Sequence, residues 1–148
     1  MSENTTNFKS FESLKVWQQA RKIRNDIFKL CKSFPKEETY KLTDQMIRSA
    51  RSIGNNIAEG YGRFHYQENI QFCRQSRGSQ YELIDHLIDA MDCGYIEEDE
   101  CNRRKKYNIE SIKMTNGYIA YLHRQKSSNK IEESEIHYQP NDFEQDYP

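Results

Sequence analysis

The sequence predicts an all-α protein: an antiparallel up-down four-helix bundle with a disordered acidic C-terminal tail. Three observations predict it. Apolar residues return every three or four positions through four long segments, the spacing that lines one face of a helix. Only six glycines and three prolines interrupt 148 residues, too few turns for a sandwich or barrel. Mean hydropathy is −1.06 with 35% hydrophobic residues, so a core forms only where apolar side chains gather into stripes.

In the first segment Val16, Ala20, Ile23, Ile27, Leu30 and Phe34 alternate steps of four and three, a bundle-type seam. Pro35 ends it. Glu37 and Glu38 then place negative charge where a second helix should begin. Leu42, Met46, Ser49, Ile53, Asn56 and Gly60 repeat the same steps. Gly60-Tyr61-Gly62 is the expected stop, because glycine is free to take a left-handed cap. The third segment runs from about Tyr66 to Cys93 and ends at Gly94. At about 100° per residue its apolar side chains, from Phe72 through Leu87 and Ile84 to Tyr81, cover about half the circumference. One antiparallel neighbour needs less, so this breadth predicts a homo-oligomer. The fourth helix opens on the acidic turn Glu97-Glu98-Asp99-Glu100. Cys101, Asn108, Ile112, Thr115, Ile119 and Leu122 continue the seam. Gly54 and Gly117 fall inside helices at about 1 kcal/mol each relative to Ala, which predicts close backbone approach.

These segments bound the chain as a flexible 1–10, a bundle over 11–126 and an acidic tail over 127–148. The tail carries one lysine (Lys130) and six acids, leaving 21 basic and 17 acidic side chains before it. It lacks an apolar period and is expected to be disordered. No run approaches 18 apolar residues, so no membrane span is expected. The opening MSENTTNFKS has no apolar signal core, which predicts a cytoplasmic protein. Cys31, Cys73, Cys93 and Cys101 stand singly and are expected to be reduced, small core residues.

Catalytic patterns are missing. The four histidines bear no relation to a nucleophile elbow, and no Arg precedes a His at the four-to-six-residue spacing of helical ribonucleases. Glu82, Asp85, His86 and Asp89 share one helix face, but a di-metal bundle needs Glu-x-x-His on two helices. The stripe reads as solvated, with no metal, no cofactor and no enzymatic activity expected. A basic surface remains. Arg48, Arg51 and Asn55 line up at i, i+3 and i+7, Arg74 follows on the third helix, and Arg103-Arg104-Lys105-Lys106 circle one turn of the fourth. Guanidinium groups bind phosphates through paired donors, and some of the ten tyrosines could stack on unpaired bases. The alternative is solvated charge on a purely structural, scaffolding oligomer. Arg77 falls inside the apolar arc, where a charge must be paired or sit at a subunit boundary; Glu59 is the candidate partner.

The stretch Phe11-Glu12-Ser13-Leu14-Lys15-Val16-Trp17-Gln18 resembles the opening of a family of four-helix-bundle proteins first noticed in intervening sequences of bacterial 23S ribosomal RNA genes. Phe34-Pro35, Gln45 and the run from Ser52 to Arg63 are similar to that family's central signature. Arg77-Gly78-Ser79-Gln80-Tyr81-Glu82-Leu83 and Gly94-Tyr95-Ile96 are similar to its third-helix motif and cap. The resemblance covers residues 8–125 or so. It implies a bacterial protein that assembles as a ring, five-fold in related members, without catalytic residues. The accessory variability determinant of diversity-generating retroelements looks like a relative, which implies a reverse transcriptase and RNA or DNA as partners. Asn56, Glu59, Gly60, Gly78, Ser79 and Glu82 match motif positions whose types suggest hydrogen bonding and close packing between helices. His65 and Asn69 depart from the pattern.

Overall fold

The computed structural model describes residues 10–129; residues 1–9 and 130–148, where the flexible start and most of the acidic tail were expected, lie outside the described residues. Among the described residues are four α-helices, two 3-10 turns and no strand. The helices are α1 (Lys15–Cys31), α2 (Leu42–Gly62), α3 (Tyr66–Asp92) and α4 (Glu98–Ser128). α4 includes Ser127 and Ser128, so the body extends past the boundary set at residue 126.

α1 buries Val16, Ala20, Ile23, Ile27 and Leu30, and Phe34 tucks in beyond the helix end. α2 meets them with Met46, Ala50, Ile53 and Ile57, all fully buried. α2 begins later than the acids suggest: Lys36–Glu38 forms a 3-10 turn, and Lys41 adopts φ −121°, ψ −109° before the helix starts. Glu38 still serves that start from outside. The Leu42 N–H donates to its Oε2 at 3.1 Å and the Tyr95 hydroxyl donates to its Oε1 at 3.0 Å. That second bond, with desolvation behind it, pushes the Tyr95 phenol up to about 12.

The left-handed residue after α2 is Phe64, at φ 57°, not a glycine. Gly60 lies within the last turn for another reason. A Cβ there would stand 2.7 Å from Asn69 Oδ1 and 2.8 Å from Phe72 Cβ, so α2 and α3 touch through the missing side chain. α3 ends as expected at Gly94, at φ 78°.

The buried seam of α3 is Asn69, Cys73, Ser76, Gln80, Leu83, Leu87 and Ala90, again stepping by four and three. It lies to one side of the apolar arc, leaving Tyr81 59% exposed and Ile84 and Ile88 partly exposed. The buried polar groups of this seam are paired, which removes most of their desolvation penalty. Gln80 Nε2 donates to Ser111 Oγ at 2.8 Å and Thr115 Oγ1 at 3.1 Å. Asn69 Nδ2 donates to the Tyr118 hydroxyl at 3.3 Å, and Ser76 Oγ donates to the Ile53 carbonyl at 2.8 Å. Down α3, contacts therefore climb α4 in the opposite sense: Leu87 to Cys101, Gln80 to Ser111 and Thr115, Asn69 to Tyr118, Gln67 to Lys126. α1 and α4 close through polar ties, Asp26 to Arg104 and Gln19 to Tyr107.

Cys31, Cys73 and Cys101 are buried, but Cys93 is exposed at the end of α3 and is no core residue. No helix among the described residues is long and apolar enough to cross a membrane.

Candidate nucleic-acid interface

A cleft of about 870 Å³ opens between α1 and α2. Its end is built by a 3-10 turn, Phe11–Ser13, started where Ser10 Oγ accepts the Glu12 N–H at 3.1 Å. Buried Leu14 anchors this turn, and the Phe11 ring meets Trp17 edge-on at 5.0 Å. Trp17 in turn lies on Gly54: a Cβ there would be 3.4 Å from Trp17 Nε1 and 3.5 Å from Ala20 Cβ. The close backbone approach expected at Gly54 is not what the helices make here: its neighbours are side-chain atoms at ordinary contact distance.

Arg24, Arg48 and Arg51 line the cleft, along with Asn25, Asn55, Phe28 and Ser52, and among the described residues no carboxylate does. The Arg51 guanidinium covers the Phe28 ring at 5.0 Å. Arg48 reaches Asp44 at 3.2 Å, with the two side chains 78% and 47% exposed. A pair so open is worth at most about 1 kcal/mol and leaves the cation available. Arg74 is exposed on α3.

The basic turn of α4 does not act as one patch. Arg104 Nε donates to Asp26 Oδ2 at 2.9 Å and its side chain is only 12% exposed. That arginine is spent inside the protomer as an α1–α4 tie, so its place in the basic surface is corrected. One position along a helix turns the side chain by about 100°, and Arg103 beside it is exposed. Arg103, Lys106 and Lys22 rim a second, smaller hollow of about 440 Å³ whose lining also includes Asp26 and Glu110. Lys105 is half-buried.

Arg77 does not pair with Glu59. Its Nη1 donates to Asn116 Oδ1 at 2.9 Å, linking α3 to α4, while Glu59 accepts from Arg63 at 3.2 Å within α2. Asn56 Nδ2 donates to the Ser52 carbonyl and hydroxyl at 2.8 and 2.9 Å. Ser79 Oγ donates to the same hydroxyl at 2.8 Å, so three motif-region side chains meet at one α2–α3 contact. Gly78 faces open space. Glu82 Oε1 lies 3.3 Å from His86 Nε2, and His86 is buried. Among the described residues no three His, Cys, Asp or Glu side chains are grouped to hold a metal ion.

Sequence reasoning missed Arg24, Phe28 and Trp17 as lining residues. They sit on α1, and only the register of α1 against α2 brings them to Arg48 and Arg51. No curated protein matches the chain. The family model for the 23S rRNA-intervening sequence protein matches residues 12–117, well over half of the chain, and the chain belongs to that family.

Proposed function

We propose that the chain is a non-enzymatic, cytoplasmic, homo-oligomeric bundle, up-down and antiparallel, that binds nucleic acid through a cationic surface. One observation carries the reading: three arginines and three aromatic rings converge on the α1–α2 cleft, with no lining carboxylate among the described residues. Such a surface favours phosphate oxygens and gives salt-sensitive affinity. Arg103, Lys106 and Arg74 extend it outward. The opposed contact order between α3 and α4 supports the antiparallel arrangement. The partly exposed Tyr81, Ile84 and Ile88 support self-association, in the manner of a pentameric ring. Structured RNA, DNA or an RNA–protein partner such as a reverse transcriptase fits this surface. A non-catalytic role is supported by the buried thiols. Burial pushes Cys31 up to about 11 and Cys73 to about 12, far from nucleophilic thiolates.

Filter-binding titration of a structured RNA at two salt concentrations tests the reading. Affinity should fall steeply as salt rises, and Arg48→Glu with Arg51→Glu should weaken it about tenfold or more. Affinity untouched by both changes would leave the scaffolding oligomer as the better account.

A further inference from the structure

We propose that the α1–α2 cleft receives an unpaired nucleobase together with its neighbouring phosphates, so that the protein prefers single-stranded over base-paired nucleic acid. This rests on the nucleic-acid reading above and adds to it which form is recognised and where.

Duplex phosphates need only a convex or flat cationic surface, because the bases are stacked and paired inside the helix. A concave site lined by aromatic rings is of no use to them. An unpaired base, in contrast, has two free π-faces and a free hydrogen-bonding edge, and it gains from stacking on rings or on guanidinium planes. The cleft supplies each element. Trp17 and Phe28 are half-buried, held by their neighbours but reachable from the cleft. Arg51 is exposed and lies over Phe28 at 5.0 Å, so its guanidinium is within reach of a further flat group entering the cleft. Asn25 and Asn55 are exposed beside the rings and carry amides able to meet a base edge, which present donors and acceptors together. Arg24 and Arg48 lie in the same lining for the flanking phosphates. The volume of about 870 Å³ falls in the range of small-ligand clefts, about 300–1,000 Å³.

The second hollow provides the contrast. Around Arg103, Lys106 and Lys22 it has one tyrosine, Tyr107, whose hydroxyl is engaged with Gln19 at 3.3 Å, and two carboxylates interrupt its charge. It can follow a backbone, but its one ring, half-buried and tied by its hydroxyl to Gln19, is a poorer stacking platform than the three rings of the cleft. The two surfaces therefore divide the work: tracking outside on α4, base capture between α1 and α2.

Trp17 is the single tryptophan of the chain and lines the cleft, so its emission reports occupancy directly. The full-length protein is titrated with a single-stranded oligouridine, with a duplex of equal phosphate count, and with polyglutamate, all at low salt. The expected result is quenching of Trp17 by the single strand, with at least about tenfold tighter binding than the duplex. Phe28→Leu keeps an apolar side chain but removes the ring, and Asn55→Asp adds charge on an exposed position. Both should reduce quenching and the single-strand preference. Equal binding of single strand and duplex without quenching would overturn the cleft while leaving nucleic-acid binding in place. Binding of none of the nucleic acids would overturn both readings. Quenching by polyglutamate as strong as by oligouridine would overturn base capture and assign the cleft to an acidic polypeptide.

Discussion

Between α1 and α2 the contacts are apolar and the polar chemistry faces outward, into a cleft. Between α3 and α4 the arrangement is inverted: Gln80, Ser111, Thr115, Asn69 and the Tyr118 hydroxyl lie inside, and Tyr81 and Ile109 are exposed. The difference separates two uses of polarity. Buried and paired, polar groups fix which residues face each other, because a shift of one turn would leave several without partners. Exposed on a concave surface, they remain available to a ligand. The α3–α4 side thus determines register, and the α1–α2 side offers the surface proposed above to bind nucleic acid.

The contrast makes quantitative demands. Gln80→Ala should have the largest effect, about 2–5 kcal/mol by chemical denaturation, since it opens a cavity and orphans Ser111. Replacing the whole cluster, Gln80→Leu with Ser111→Ala and Thr115→Val, should recover most of that loss, because no buried polar atom is then left alone. A triple variant as unstable as the single one would remove register-setting from α3–α4.

The glycines give the next test. Gly60→Ala drives a Cβ into Asn69 and Phe72 and should destabilise by about 1–3 kcal/mol. Gly78→Ala, in α3, places a Cβ with no neighbouring atom of another element within 4 Å and should stabilise by about 0.5–1 kcal/mol through reduced backbone freedom of the unfolded chain. Equal effects at both positions would contradict the close α2–α3 approach at Gly60.

The smallest effect is a pH slope. The folded protein holds the Tyr95 proton to about pH 12, whereas an unfolded phenol releases it near 10.0. Stability from this group is therefore intact below pH 10 and is lost as pH rises toward 12. The buried thiols of Cys31 and Cys73 act in the same sense, beginning at their usual value of 9.0. Tyr95→Phe should flatten the Tyr95 part of the slope in urea titrations at stepped pH; an unchanged slope would show that the Glu38 contact does not persist in solution.

The sequence disclosed the α1 and α2 seams because Val16, Ile23, Ile27, Met46 and Ile53 carry the hydrophobic signal at the positions that are buried. It disclosed the α3 seam poorly, since Asn69, Ser76 and Gln80 carry none. Their partners are Tyr118, Ile53 and the Ser111–Thr115 pair, 23 to 49 residues away, and no local period reveals them. The end of α3 was legible from Gly94 alone, whereas the left-handed turn after α2 falls on Phe64 rather than on Gly60 or Gly62. The arginines show the same limit. Arg48 and Arg51 share a face by spacing, but that Arg104 belongs to Asp26, 78 residues away, and Arg103 does not, depends on which side of α4 meets α1.

The polar closure between α1 and α4 bears on the order of assembly. The other helix pairs are neighbours in sequence and can dock as each turn forms, but Asp26 and Arg104 must be gathered across 78 residues and Gln19 and Tyr107 across 88. Entropy of closing so long a loop is lost before the contacts reward it. The first and last helices are therefore expected to lock together late, as a kinetic step slowed by added salt, after α2 and α3 have already formed a scaffold for both.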